Sequence, residues 1–202
     1  MCHSLLDDAS IWSLLVDIDR EIAATIRSQG CPCGGNLHSA RYPRKPRGWP
    51  REQLGADYQS RLSFCCDRDG CRRRCTPPSV RYFGRRVYLG VVVTLSMALE
   101  HGLTPERRQR LVGQIGVDPR TLTRWFRWWR VQLPATRTWR ELQGQFACAL
   151  DPARLPDTLL RLVQGDDSVQ RLIRFLALLM PLSTDSCPHC PRVALKPQKM
   201  PV

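Results

Sequence analysis

The chain has 202 residues, with 31 Lys or Arg against 18 Asp or Glu, a formal net charge of +13 and an isoelectric point near 9.9. So large an excess repels itself within a compact chain and points to a polyanionic partner. The longest nearly charge-free apolar run, Val87 to Leu99, falls short of the ~20 residues that span a bilayer, which argues against a membrane role.

Met1 to Asp8 lacks the basic start of a secretory signal, and Asp7, Asp8, Asp17 and Asp19 interrupt the apolar positions that follow. We therefore expect a cytoplasmic, nucleoid-associated protein of one domain or two small ones. In a reducing compartment, ten cysteines indicate metal more often than disulfide.

Residues 4–27 predict an amphipathic helix, because Leu14, Leu15, Ile18, Ile22 and Ile26 recur at helical spacing before the stop Ser28-Gln29-Gly30. This first unit, residues 1–30, is locally acidic. It either packs on the rest of the fold or docks a partner, a second copy (a homodimer) included.

Residues 31–80 carry two cysteine pairs, Cys31-Pro32-Cys33-Gly34-Gly35 and Cys66-Asp67-Arg68-Asp69-Gly70-Cys71. Thiolate pairs on glycine-containing turns, about thirty residues apart, are how a small module builds a tetrahedral Zn2+ site. The glycines let each turn fold its backbone back toward the ion. The ligands read from this spacing are Cys31, Cys33, Cys66 and Cys71. Cys65 is an alternative to Cys66, since only one of two adjacent strand residues faces the metal, and His38 is a possible substitute.

Between the pairs, Arg41-Tyr42-Pro43-Arg44-Lys45-Pro46-Arg47-Gly48 is held extended by proline. Arg61 to Cys65 alternates as a strand, and Thr76-Pro77-Pro78 closes the module as a stiff linker. From Arg41 to Arg86 there are thirteen basic and four acidic residues, interleaved with Tyr42, Trp49, Phe64, Tyr82 and Phe83. Arginine's planar fork matches phosphate, so Arg44, Lys45, Arg47, Arg72, Arg73 and Arg74 are expected to contact a nucleic-acid backbone.

Residues 85–133 change character. Val87 to Leu99 is β-branched enough for a buried strand, but its length and the Gly102 stop favour a core helix. Thr104-Pro105-Glu106 opens a further helix with a cap and proline. Ile115-Gly116-Val117-Asp118-Pro119 is a turn with a fresh capped start. The helix after it stacks Leu122, Trp125, Phe126 and Trp129 on one face.

Helix, glycine turn, cap, and a helix with an apolar stripe and a basic face make a helix-turn-helix layout. Arg120, Thr121 and Arg124 would reach base edges in the major groove of double-stranded DNA, and Arg127 would hold phosphate. Residues 134–182 predict C-terminal helices over Thr138 to Phe146 and Pro156 to Met180, and residues 183–202 a flexible tail. Cys187-Pro188-His189-Cys190 is half a knuckle, and Cys2, Cys75 and Cys148 show no pattern. The fold class is thus mainly α with a small zinc-ribbon β module.

No enzyme is read from this chain. Its carboxylates form no two-metal cluster, no phosphate-cradling glycine loop is present, and the deaminase His-x-Glu element is missing.

Cys-Pro-x-Gly-Gly-x-Leu-His at 31–38, Tyr-Pro-Arg-Lys-Pro-Arg-Gly at 42–48 and Gly-Cys-Arg-Arg-Arg-x-Thr-Pro-Pro-Ser at 70–79 resemble small zinc-ribbon/helix-turn-helix proteins. Those are encoded beside, or as the N-terminal part of, bacterial insertion-sequence transposases. The resemblance covers about residues 28–180, with Pro197 to Met200 also similar. It implies a DNA-binding accessory of a mobile element, with the recombination chemistry on a separate transposase polypeptide. A repressor of the same build, or an adaptor whose ribbon docks a protein, are the competing readings.

Overall fold

The computed structural model describes residues 9–40, 42–43, 56–83, 88–89, 109, 112–113, 116–146, 149–163, 165–184 and 186–187. The described residues are mostly helical, with a small three-stranded antiparallel sheet and two short strand pairs. None of their helices is long and apolar enough to cross a membrane.

Helix α1, Ala9–Gln29, buries Ile11, Trp12, Leu15, Val16, Asp19, Ala23 and Ile26 along one stripe. The stripe is turned from the one the apolar pattern predicts: Leu14 is 41% exposed, while Ile18 and Ile22 are half-buried at the edges. Gly30 ends the helix at φ 70, and its amide bonds the Arg27 carbonyl, as a left-handed C-terminal residue does. At ~30 Å long, α1 serves two cores. Its first half joins the large one, and Ala23 and Ile26 enter a second, smaller core containing Cys31, Leu37, Phe64, Cys66 and Cys75.

Strands β1 (Leu37–Ser39) and β2 (Tyr42–Pro43) run antiparallel to β4 (Phe64–Cys66) and β3 (Ser60–Arg61). The pairs Leu37–Cys66, Ser39–Phe64 and Tyr42–Arg61 share one register, which the Ala40 amide to Ser63 carbonyl bond carries across the gap. This is a single two-stranded arm. Strand β5 (Arg74–Cys75) pairs with the other edge of β4. The alternation expected along 61–65 breaks at its middle: Arg61 and Ser63 are buried and Leu62 is half-exposed, opposite to the apolar pattern, whereas Phe64 is buried and Cys65 half-exposed as that pattern requires.

Beyond β5 the chain is no free linker. Pro77, Pro78, Ser79, Val80, Arg81 and Tyr82 are all buried. The reason is the Asp19 carboxylate. It accepts hydrogen bonds from the Ser79 hydroxyl, the Val80 amide at 2.8 Å and the Arg81 Nε at 2.6 Å. Arg81 and Asp19 side chains are 2% and 3% exposed. The guanidinium also donates to the Asp57 carbonyl and lies 5.3 Å from the Tyr58 ring centre and 5.0 Å from that of Tyr82. The Tyr58 hydroxyl donates to the Trp12 carbonyl and that of Tyr82 to the Tyr58 carbonyl. Both charges are therefore matched by hydrogen bonds, as burial requires.

Strands β6 (Tyr82–Phe83) and β7 (Tyr88–Leu89) form a hairpin. The expected core helix over Val87 to Leu99 is thus corrected where it starts, since aromatic residues on both sides of a four-residue connection favour strand pairing. Residues 90–108, including the predicted helix start at Thr104, lie outside the described residues.

Helix α2, Pro119–Arg127, begins as predicted. The Asp118 side chain accepts the Arg120 amide at 2.7 Å and Pro119 takes the first turn. The helix runs on into a π turn over Trp128–Gln132, where the Leu133 amide bonds the Trp128 carbonyl. Leu122, Trp125, Trp129 and Leu133 enter the large core. Helix α3, Arg137–Gln143, is capped by Thr136. The region predicted as one helix from Pro156 to Met180 is two: α4, Asp157–Leu162, and α5, Ser168–Leu179, the latter capped by Asp167. A Cβ at the intervening Gly165 would lie 2.6 Å from the Arg171 amide nitrogen, so the chain closes tightly there. Trp129 and Phe175, ring centres 6.0 Å apart, pack α5 against the α2 extension.

The tail expected to be flexible from residue 183 is instead held at its start. The Ser183 hydroxyl accepts the Ser79 amide, the Ser186 hydroxyl accepts the Thr76 amide, and Thr184 donates to the Thr76 carbonyl. The buried Arg61 guanidinium adds bonds to the Pro77 and Ser183 carbonyls.

Removing one partner of a buried charge pair leaves the other stranded in low dielectric. Asp19→Ala is expected to destabilise the protein by ~3–5 kcal/mol. The exposed Asp17, paired with Arg20 at 2.8 Å, should cost under ~1 kcal/mol when changed to Ala. Urea unfolding of the two variants checks the contrast, and equal losses would contradict it.

Candidate metal centre

Cys31, Cys33, Cys66 and Cys71 are brought together, their sulfurs all within 4.8 Å of one another. Each sits where local backbone requires it. In the first turn, the Gly34 amide bonds the Cys31 carbonyl and the Cys31 amide bonds the Gly35 carbonyl. Gly34 has φ 84, a conformation that disfavours a side chain. A Cβ on Gly35 would stand 2.7 Å from the Cys66 sulfur. In the second turn, the Cys71 and Arg72 amides both bond the Arg68 carbonyl, and the Cys66 amide bonds the Arg73 carbonyl.

Asp67 joins the turns. Its carboxylate accepts the Asn36 amide at 2.9 Å and the Asn36 side chain, and contacts His38 Nε2 at 3.2 Å. Burial draws the Asp67 carboxyl upward, but these bonds outweigh it and hold it below its usual range. The Arg68 guanidinium donates to the Cys33 carbonyl, closing the cage from outside.

Of the two alternative ligands, geometry brings neither into the cluster. Cys66 is buried and faces the cluster, whereas Cys65, next along β4, turns away toward the Arg72 carbonyl. His38 engages Asp67 and is not part of the cluster.

The Cys31–Cys71 and Cys33–Cys66 sulfurs are 3.8 and 3.5 Å apart. That is far beyond a disulfide's 2.05 Å. Four thiolates at ~2.3 Å from a tetrahedral ion stand about 3.8 Å from one another, so this donor set fits such an ion.

The sulfurs differ in proton affinity. The Gly35 amide, then the neighbouring Cys66 and Cys71 sulfurs, bring Cys33 down to about 6. Burial pushes Cys66 up to about 12. For Cys31 the Cys33 amide pulls downward, but burial and the adjoining sulfurs prevail and the thiol is raised. Outside the cage, Cys75 is raised by its hydrogen-bond contact with Cys187 and by burial.

The residues read as nucleic-acid contacts divide into three groups. Arg44, Lys45 and Arg47 lie outside the described residues. Arg72, Arg73 and Arg74 are exposed beside the second turn, with Arg72 tied to Asp69 at 2.8 Å. On α2, Arg120, Arg124 and Arg127 are exposed, but Thr121 is 7% exposed and its hydroxyl accepts from Arg124 at 2.8 Å. Thr121 therefore positions Arg124 and does not present itself at the surface. Arg61 and Arg81, counted in the same basic stretch, are buried structural groups.

No protein-family model, curated protein or solved structure matches the chain.

At pH 7 the metal-free cluster keeps Cys33 as thiolate while Cys31 and Cys66 hold their protons, so a bound ion must displace both. Uptake should release at least those two protons, and apparent affinity should fall at least about a hundredfold per pH unit on acidification. Below about pH 6, protonation of Cys33 steepens the fall. Titration in weak buffer with a pH indicator measures this, and uptake without proton release would contradict it. Gly35→Ala, which drives a methyl into the Cys66 sulfur, should reduce metal affinity more than Gly34→Ala, where the nearest atom is 3.9 Å away. A chelator competition ranks the two.

Proposed function

We propose that the chain is a DNA-binding protein built from a zinc ribbon and a helix-turn-helix, acting as a non-catalytic accessory of a transposable element. One observation carries the DNA reading: the exposed face of α2. There Arg120, Arg124 and Arg127 stand opposite the buried Leu122, Trp125 and Trp129. No carboxylate among the described residues pairs with those three arginines. A helix anchored by one stripe and bare of counter-charge on the other is suited to a groove lined by phosphate.

In this reading Arg120 and Arg124, in the first two turns, face base edges, and Thr121 aims the Arg124 fork. Arg127 takes backbone phosphate. Arg73 and Arg74 add contacts from the ribbon, beside a zinc ion held by Cys31, Cys33, Cys66 and Cys71. The ion supplies cross-linking free energy to a module too small to fold on apolar burial alone. The assignment to a mobile element rests on the motifs at 31–38, 42–48 and 70–79, with cutting and joining left to a separate transposase.

Selection of bound duplexes from a random pool should enrich one motif. With ~6–10 phosphates neutralised, affinity for it should drop by roughly 10³–10⁵ between 50 and 200 mM salt. A flat salt response would sink the DNA reading. Arg124→Ala should cost ~1–3 kcal/mol and relax preference at one base position, whereas Arg127→Ala should weaken all sequences alike. Uniform loss from Arg124→Ala would reassign it to phosphate. Treatment with a strong chelator should unfold the ribbon and weaken binding by removing its contacts, with readdition of Zn2+ restoring both.

A further inference from the structure

Two cysteines outside the cage are placed together by the C-terminal strap. Ser183 bonds Ser79 and Ser186 bonds Thr76, an antiparallel alignment that moves one residue back along 75–79 for each residue forward along the strap. One further step sets Cys187 opposite Cys75. Both cysteines line one small apolar cavity with Ile26 and Leu37, and Cys187 packs against the cluster that holds Cys75, Ile26, Leu37 and Phe64. Cys75 is buried and Cys187 half-exposed. Neither belongs to the four-sulfur cluster.

We propose that Cys75 and Cys187 are a reversible disulfide-forming pair that locks the C-terminal strap onto the ribbon when a small-molecule disulfide such as oxidised glutathione is present. The more accessible Cys187 reacts first. Its thiolate attacks one glutathione sulfur, the glutathione S–S bond breaks, and reduced glutathione leaves with a proton from solvent. The Cys75 thiol then gives up its proton and attacks the Cys187 sulfur, expelling a second reduced glutathione. Both cysteines are oxidised, two electrons pass to glutathione, and excess reduced glutathione reverses the exchange. The link closes a long loop between β5 and the strap, joining the ribbon covalently to the core built on α5.

The test uses full-length protein loaded with zinc and equilibrated with oxidised glutathione, then acid-quenched and alkylated. The expected product has lost two hydrogens, retains its zinc, and yields one tryptic species joining Cys75–Arg81 to Phe175–Arg192. The second peptide also contains Cys190, so Cys190→Ser should preserve the link. Cys187→Ser should abolish it while leaving zinc stoichiometry and circular dichroism unchanged. A Cys187–Cys190 bond, a persistent glutathione adduct with no cross-link, or oxidation of the cage with zinc loss would each overturn the proposal.

Discussion

A carboxylate in the middle of an apolar helical stripe holds this molecule in register. Asp19 lies between Leu15 and Ala23 on the buried side of α1, where desolvation makes an isolated charge untenable. Its requirement for donors draws in Ser79, Val80 and Arg81. The Arg81 fork in turn holds the 3₁₀ turn Ala56–Gln59 through the Asp57 carbonyl, and rests on two tyrosine rings whose hydroxyls bond backbone. An apolar contact of similar area would tolerate sliding. A carboxylate with three directed donors does not, and this is how a buried ion pair can specify a unique arrangement while adding little net stability.

The cage occupies an intermediate place between a free-standing finger and an ordinary core. Three of the seven fully buried members of its cluster are cysteines, and so small an apolar group gives little folding free energy by itself. An ion on four thiolates would supply the difference. Yet Ala23 and Ile26 of α1 lie in the same cluster, and the strap from Ser183 to Ser186 closes its far side. Metal removal therefore acts on a module with two further attachments, so the helical core does not depend on the ion in the way a solitary finger does.

How much of this was legible in the sequence depends on the range of the interaction. The four sulfurs were readable because both turns are local. Cysteine spacing and glycines at positions of positive φ reported the knuckles without knowledge of the rest. The α2 cap, the proline after it and the Leu122, Trp125 and Trp129 stripe were readable for the same reason. Arg61 and Arg81 were not, because an arginine that will be buried looks like one that will be solvated until its acceptors are known. The available signal was on the partner side: Asp19 falls four residues from Leu15 and from Ala23, a place on the stripe where a carboxylate calls for a donor. The strap had no such signal. Its serines and threonine find partners more than a hundred residues away, and short hydroxyl side chains carry no periodicity.

Net charge needs the same discrimination. The stretch from Arg41 to Arg86 has thirteen basic residues, but counting them equally overstates the field a polyanion would meet. Arg81 is desolvated and neutralised by Asp19, and Arg61 is buried with its guanidinium on the Pro77 and Ser183 carbonyls. Extracting either would strand a buried acceptor or charge, at a cost exceeding what a phosphate contact returns. Arg72 differs. Its pair with Asp69 is solvent-exposed on both sides, is worth little in water, and exchanges readily for phosphate. A polyanion would thus meet the arginines that the fold has not already used, at the second cysteine turn and along the open face of α2. Because counterion release counts only charges that reach phosphate, the salt dependence of binding reports on that exposed set and not on the composition of the chain.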